Sequence, residues 1–203
     1  MKPHTRRGTA FALLAPALLF ARIPSAHAQN SMPGMDMGLP AVKIPAGAIY
    51  TEADVRFMQG MIAHHAQAIY MSRMAASHEA SPRLLKFAQK IDQSQQAEIR
   101  LMQGWLRAND QFATDTSSWR HMSMPGMLTA DQLRQLAAAR GQAFDRLFLT
   151  FMIQHHEGAL KMVKDLFAAP LAAQDVDVSV FANDVQTVQT AEIGIMQRML
   201  TTL

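Results

Sequence analysis

Two adjacent histidine pairs, each flanked by methionines, are the residues of this 203-residue chain best suited to chemistry. They are His64-His65 and His155-His156, 91 positions apart. On a helix that turns roughly 100° per residue, each pair shares a stripe about 120° wide with its neighbouring methionines. Such a stripe offers imidazole and thioether donors to a soft metal ion. The repeated pattern is Asp54-x-x-Phe57-x-x-x-Met61-Ile62-x-His64-His65-x-x-Ala68-x-x-Met71, and it returns as Asp145-x-x-Phe148-x-x-x-Met152-Ile153-x-His155-His156-x-x-Ala159-x-x-Met162.

A second repeated pattern supplies a carboxylate and a thioether to each histidine pair. Glu98 and Met102 are one helical turn apart, so both can face the helix that carries His64-His65. We expect Glu98 and Glu192 to accept hydrogen bonds from imidazole N–H groups, and so to orient the rings without binding the metal themselves. The pattern is Gln95-x-x-Glu98-Ile99-x-x-Met102, and it returns 94 positions later as Gln189-x-x-Glu192-Ile193-x-x-Met196.

These donor types favour copper. Thioether and imidazole together suit Cu(I), and imidazole also accommodates Cu(II), so copper is the predicted cofactor with Cu(I) preferred. Zinc usually takes cysteine, histidine and carboxylate, and the chain has no cysteine. A methionine stripe can also be ordinary core packing, but buried adjacent histidines need polar partners. The predicted ligands are His64, His65, His155, His156, Met61, Met71, Met102, Met152, Met162 and Met196.

Further methionines lie outside the predicted helices, where there is no core to fill. The segment Ser31-Met32-Pro33-Gly34-Met35 recurs 92 positions later as Ser123-Met124-Pro125-Gly126-Met127. Each segment can wrap a copper ion without a folded scaffold, and the alternative is a disordered polar linker. The predicted auxiliary ligands are Met32, Met35 and Met37 in the first segment, and His121, Met122, Met124 and Met127 around the second.

Capping signals divide the remainder into four long helices. Three segments are typical of a helix N-terminus. They are Thr51 with the acidic residues after it, Ser81-Pro82, and Thr129-Ala130-Asp131. The predicted helices cover residues 51–76, 82–107, 129–168 and 175–203. We therefore predict an all-α four-helix bundle made of two duplicated hairpins, 51–108 and 130–203, joined by a Met-rich linker at 109–129.

The N-terminus has the pattern of an export signal. Basic residues precede an apolar run, Ala10–Ala21, that is too short to span a bilayer as a helix. The run leads to Ala26-His27-Ala28, which has the form of a signal-peptidase cleavage site. We predict a signal peptide at residues 1–28, cleavage after Ala28, a Met-rich flexible arm at 29–50, and a periplasmic location.

Removal of the predicted signal peptide changes the net charge of the chain, and the net charge bears on which partners are expected. The leader holds four of the 19 basic residues and no acidic one, so 15 basic and 16 acidic residues remain. Without a concentrated basic patch, no nucleic-acid partner is expected. No apolar run after residue 28 is long enough to cross a membrane. The expected partners are copper ions and other periplasmic copper-handling proteins.

Two other functional classes compete with copper binding. Di-iron oxidases of the four-helix type use Glu-x-x-His motifs, and none of the glutamates here starts one. We therefore predict that the protein is not an enzyme, with a ferritin-like metal-dependent oxidase as the alternative. A helical interaction module without metal would keep the fold but leave the histidines unexplained.

The duplicated block resembles the bacterial family known as domain of unknown function 305. Its hallmark, Met-Ile-x-His-His-x-x-Ala-x-x-Met followed by a Glu-Ile-x-x-Met helix, is present twice between about residues 54 and 200. The resemblance implies a ferritin-like bundle, periplasmic copper binding and a contribution to copper tolerance. The copies differ where Trp105 aligns with Met199 and where Glu157-Gly158 replaces Ala66-Gln67. The sequence leaves open one central site or two, and two sites would be expected to differ in affinity.

Overall fold

The structure, a computed structural model, describes residues 38–203. That part of the chain is helical and contains no strand, which confirms the predicted all-α bundle. None of its helices combines the length and the apolar character that a bilayer-spanning segment requires. The helices are α1 (Glu52–Met74), α2 (Pro82–Ala108), α3 (Ala130–Ala138), α4 (Gly141–Ala168) and α5 (Val176–Leu200), with 3₁₀ turns at Ala75–Ser77 and Thr116–Arg120.

The helices begin where the sequence places their caps. The Thr51 hydroxyl accepts a hydrogen bond from the Asp54 N–H, and the Asp54 carboxylate in turn accepts from the Thr51 N–H. Ser81 caps α2 with Pro82 at the first helical position, and the Asp175 carboxylate accepts from two N–H groups at the start of α5. These side chains satisfy N–H groups that have no partner inside the helix.

One predicted helix is wrong: residues 129–168 form two helices instead of one. Ala139 and Arg140 are extended, and Gly141 has a φ of +55°, a conformation that an L-residue rarely adopts. The Gly141 N–H donates to the His78 carbonyl at 2.9 Å, and the buried His78 ring reaches the Ala137 carbonyl at 3.0 Å. The helix therefore breaks where the chain bonds to the turn after α1.

Reciprocal contacts join the two hairpins. Helix α1 packs on α2 and α4 packs on α5, while the hairpins meet along α1 and α4, which run antiparallel. The Asp54 carboxylate of α1 accepts from the Ala173 N–H before α5, at 2.7 Å. The Asp145 carboxylate of α4 accepts from the Ser81 N–H before α2, at 3.2 Å. The repeated aspartate thus pins the opposite hairpin's turn, as an approximate two-fold axis between α1 and α4 requires.

The segment between the hairpins is packed on the bundle. Gln67 on α1 bonds both backbone groups of Leu128, donating to its carbonyl at 3.1 Å and accepting from its N–H at 2.7 Å. Met122 and Met124 are buried in the core. Trp119 lies against Tyr70 of α1, with 4.9 Å between ring centroids. Over residues 109–129, an ordered crossing replaces the alternative of a disordered linker.

Gly158 makes this crossing possible. A Cβ at this position of α4 would overlap the Pro125 carbonyl and the Gly126 Cα. The difference between Gln67 and the aligned Gly158 therefore follows from how each helix contacts the linker. On α1, the Gln67 side chain hydrogen-bonds the linker, and on α4 the missing side chain of Gly158 lets the linker backbone come close.

We expect Gly158→Ala to lower the free energy of unfolding by about 1–3 kcal/mol, because the added methyl group displaces the linker backbone. The matched control is Gly104→Ala on α2, where a Cβ meets nothing within 4 Å. That variant should gain about 0.5–1 kcal/mol, since alanine is the better helix former. Chemical denaturation of both variants measures the difference, and equal stabilities would contradict the steric role of Gly158.

Candidate metal centre

Four histidine side chains are buried together where α1 crosses α4. His64, His65, His155 and His156 each expose no more than 1% of their surface. The rings of His64 and His155 are in contact across the interface, with 3.8 Å between their centroids. Both histidines occupy the same place in their repeats, so this contact marks the approximate two-fold axis.

Hydrogen bonds fix three of the four rings through Nε2. His65 Nε2 donates to Glu98 at 2.6 Å, and His156 Nε2 donates to Glu192 at 2.9 Å. His64 Nε2 donates to the Pro125 carbonyl in the linker, at 3.0 Å. A carbonyl can only accept and an ionised carboxylate likewise, so each contact places a proton on Nε2, and Nδ1 carries the lone pair whenever the ring is neutral.

The remaining imidazole nitrogens are buried without partners. Nδ1 of all four histidines and Nε2 of His155 have no hydrogen-bond partner among the described residues. An unpaired polar atom in the core costs about 1–3 kcal/mol, and such atoms in native proteins require an explanation. Buried imidazole nitrogens without partners are available as ligands for a metal ion.

The methionines are grouped differently from the sequence prediction. All six predicted ligands are fully buried, but each cluster mixes both repeats. Because α1 and α4 are antiparallel, the first methionine of one repeat lies at the level of the second methionine of the other. One core cluster holds Met61, Met102 and Met162, and the other holds Met71, Met152 and Met196.

The donor set depends on thioethers. Among residues 38–203, no three histidine, aspartate or glutamate side chains are arranged to hold a metal ion. Glu98 and Glu192 are each engaged with one imidazole instead of converging on a shared centre. The buried methionine thioethers are the further donors available in this core, and thioether with imidazole suits a soft ion such as Cu(I).

The auxiliary ligands predicted from the sequence fall into separate environments. Met32, Met35 and Met37 lie outside the described residues. In the linker, His121 is exposed and Met127 is half-buried, whereas Met122 and Met124 pack in the core. The structure therefore does not bring the linker donors together at one exposed point.

Two features of the centre were not anticipated from the sequence. The Pro125 carbonyl bonds a histidine 61 positions earlier, and no local pattern signals that contact. Lys90, which belongs to the other hairpin, donates a hydrogen bond to the Glu192 carboxylate, with 3.3 Å between Nζ and Oε1. Glu192 is consequently buried, with 3% of its side chain exposed, whereas Glu98 has no lysine partner and exposes 24%.

Burial sets the charge of the central histidines. Desolvation, aided by the neighbouring charge of His65, lowers the pKa of His64 to about 3. Desolvation and the nearby His64 likewise lower the pKa of His155 well below its usual value. Burial raises the pKa of Glu192, but the hydrogen bond from His156 and the charges of His156 and Lys90 outweigh it, and the pKa falls. The centre thus offers neutral imidazoles beside an ionised carboxylate.

Acidification should destabilise the metal-free protein. Between pH 6.5 and pH 3 the unfolded chain protonates His64 and His155 but the folded chain does not, so the free energy of unfolding falls as pH falls. Each histidine contributes up to about 1.4 kcal/mol per pH unit. Urea denaturation from pH 7 to pH 5, with copper removed by a chelator, should show this slope.

The variant His64→Leu should reduce that slope, whereas His121→Gln, at an exposed position, should leave it unchanged. A slope that His64→Leu does not alter would show that this buried histidine is not the source of the pH dependence.

Comparison with known proteins places this geometry in a family. A sequence profile described as "Domain of unknown function (DUF305)" matches residues 54–200. No curated protein matches the chain.

Solved structures share the fold. A DUF305 fragment from Deinococcus radiodurans is 27% identical, with a TM-score of 0.66, over 76% of this chain and 99% of that one. A DUF305 protein from Streptomyces coelicolor is 27% identical, with a TM-score of 0.64, over 74% and 93%. CopM in its Cu(I)-bound form is 30% identical, with a TM-score of 0.60, over 73% and 96%. CopM is also known in Cu(II)-bound, silver-bound and apo forms. With its profile match over most of the chain and these structural relatives, the protein belongs to the DUF305 family.

Proposed function

We propose that this protein is an exported copper-binding protein that sequesters, buffers or carries Cu(I), and that it also accepts Cu(II). One observation carries the proposal: buried, unpaired imidazole nitrogens share the interior with six buried methionine thioethers. Imidazole and thioether together prefer Cu(I) among the common biological metals. We propose binding rather than catalysis because none of the glutamates in the sequence starts a Glu-x-x-His motif.

The arrangement supports two copper sites joined at the two-fold axis. The first site would use His65 with Met61, Met102 and Met162, which come from α1, α2 and α4. The second site would use His156 with Met71, Met152 and Met196. The rings of His64 and His155 contact each other between the two proposed sites, so each could be a ligand in either site. Glu98 and Glu192 orient the outer histidines by accepting their Nε2 protons.

The family relationship supports the same conclusion. CopM, which shares the fold over most of both chains, binds Cu(I), Cu(II) and silver. Silver is a soft monovalent ion like Cu(I), so its binding indicates a soft donor set in that relative. The lowered pKa values of His64 and His155 add a physical argument. Copper need not displace protons from these rings near neutral pH.

The cellular setting proposed here is the periplasm. The N-terminal leader directs export, and an oxidising compartment disfavours free thiols as soft ligands. Thioethers do not form disulfides, so they remain available for Cu(I) there. In this setting the protein would contribute to copper tolerance, and other periplasmic copper-handling proteins would exchange metal with it.

The first test removes the thioethers without opening cavities. The triple variant Met61→Leu, Met102→Leu and Met162→Leu should lose about one copper equivalent, because leucine keeps the volume but lacks the sulfur. The control is Met74→Leu, which changes a buried methionine outside the proposed sites. Copper is counted by elemental analysis after titration with Cu(I), and affinity is measured against a Cu(I) chelator.

Full retention of copper by the triple variant, with unchanged affinity, would contradict the proposal and return these methionines to core packing. Equal losses in the triple variant and in Met74→Leu would have the same meaning. Melting curves without metal confirm that each variant folds.

The second test separates the arm from the linker. Replacing Met32, Met35 and Met37 with serine should lower copper capacity and leave the melting temperature unchanged, because a Pro/Gly-rich arm contributes little to a core. Replacing Met122 and Met124 with serine should instead lower the melting temperature, since both side chains are buried. An arm variant with full copper capacity would show that the arm does not bind metal.

A further inference from the structure

Two grooves open on the face of the bundle where α2 and α5 lie apart. The first, with a volume of about 720 Å³, lies between the C-terminal half of α2 and the start of α5. The second, about 500 Å³, lies between the start of α2 and the end of α5. Three aspartates and one basic residue line the first groove, namely Asp175, Asp177, Asp184 and Arg100, whereas the charged residues of the second are Arg83, Lys86 and Lys90. We call them the acidic groove and the basic groove after their net charge.

The two grooves are equivalent under the internal repeat but opposite in charge. The offset of 94 that relates Glu98 to Glu192 also relates Arg83 to Asp177 and Lys90 to Asp184. The apolar wall is kept, because Phe87 corresponds to Phe181 and each lines its own groove. The repeat therefore keeps an aromatic wall in both grooves and reverses the charge at two aligned positions.

The acidic groove reaches the proposed copper ligands. Met58 and Met102 lie among its lining residues, and both are buried, so their thioethers form the floor. The Phe181 ring in its wall is 6.5 Å from the His65 ring, measured between centroids. Glu98, which holds His65, keeps 24% of its side chain exposed. The partner of His65 is thus partly exposed to solvent, and the proposed ligand Met102 lines the acidic groove.

The basic groove is closed at the equivalent place. Lys90 forms an ion pair with Glu192 at 3.3 Å, and this carboxylate is 3% exposed. The methionine that lines the basic groove is Met199, which is not in the proposed donor set. A cation approaching here meets three basic side chains and then an ion pair in front of His156.

We propose that copper enters and leaves the bundle through the acidic groove, and that Lys90 keeps the equivalent route at the basic groove closed. The proposal rests on the copper-binding function proposed above. The acidic groove carries a net negative charge, since three aspartates outnumber its single arginine. A cleft of net negative charge over low-dielectric walls concentrates cations and raises their association rate. Copper would pass from the carboxylates of the groove to the Met102 thioether and then to His65. It would reach the second site through His64 and His155, whose rings are in contact.

The first experiment measures the rate of loading. Cu(I) is supplied as its cationic acetonitrile complex without oxygen, and the copper still unbound after each mixing time is captured with bicinchoninate and measured by absorbance. The double variant Asp177→Asn and Asp184→Asn should load about three- to tenfold more slowly than wild type, and its rate should depend less on ionic strength. Its final copper stoichiometry should be unchanged, because neither residue is a ligand.

A matched double variant controls for net charge. Asp131→Asn and Asp165→Asn removes the same two charges from α3 and α4, away from both grooves. This control should load at the wild-type rate. If the acidic-groove variant and this control load at equal rates, the acidic groove is not the route and the proposal is overturned.

The second experiment tests the closed end. Lys90→Gln removes the partner of Glu192, whereas Lys86→Gln removes a charge from the same rim that makes no contact with that carboxylate in the described hydrogen bonds. Lys90→Gln should load about two- to threefold faster than Lys86→Gln, in line with an electrostatic barrier. Equal rates would overturn the role of Lys90. A wild-type protein that binds no copper at equilibrium would refute the proposed function itself, an outcome that rate measurements do not share.

Discussion

The contact between α1 and α4 places four imidazole rings in the interior, and the rest of the structure has to accommodate them. A buried imidazole is polar at two points of its ring, so every nitrogen needs a partner or a function. Helices α2 and α5 each provide a glutamate for an outer histidine, and the linker provides the Pro125 carbonyl for His64. Asp54 and Asp145 pin the turns that bring α5 and α2 into place. The imidazoles buried between α1 and α4 therefore have hydrogen-bond partners on α2, on α5 and in the linker.

The partners assigned to Nε2 have a chemical consequence for Nδ1. Once Nε2 is engaged, the ring can present only Nδ1 to the centre, and its orientation is fixed before metal arrives. For His64, burial lowers the pKa to about 3, so its Nδ1 lone pair is not occupied by a proton near neutral pH. The six thioethers fill the same core as ordinary apolar side chains do, and this explains how the bundle can be stable with or without copper.

The sequence predicts local features well and contacts between distant segments poorly. The helix caps at Thr51 and Ser81, the histidine stripe and the duplication follow from spacing alone, since each is encoded within a few turns of helix. The break before Gly141 is decided by a hydrogen bond to His78, which is 63 positions away, and no local signal except the glycine indicates it. The exchange of methionines between hairpins depends on the antiparallel direction of α1 and α4. Periodicity within one helix cannot reveal that direction.

The ordered linker also bears on how the molecule can change over evolution. Two identical hairpins could associate as a symmetric pair, but any substitution would then appear at both ends at once. Here a single polypeptide carries both copies, and Gln67 and Gly158 differ so that one linker can cross both central helices. Each half is therefore free to diverge by itself. A duplicated fold of this kind can assign separate tasks to its two ends, such as exchange with the surroundings at one and long-term retention at the other, without any change in its interior.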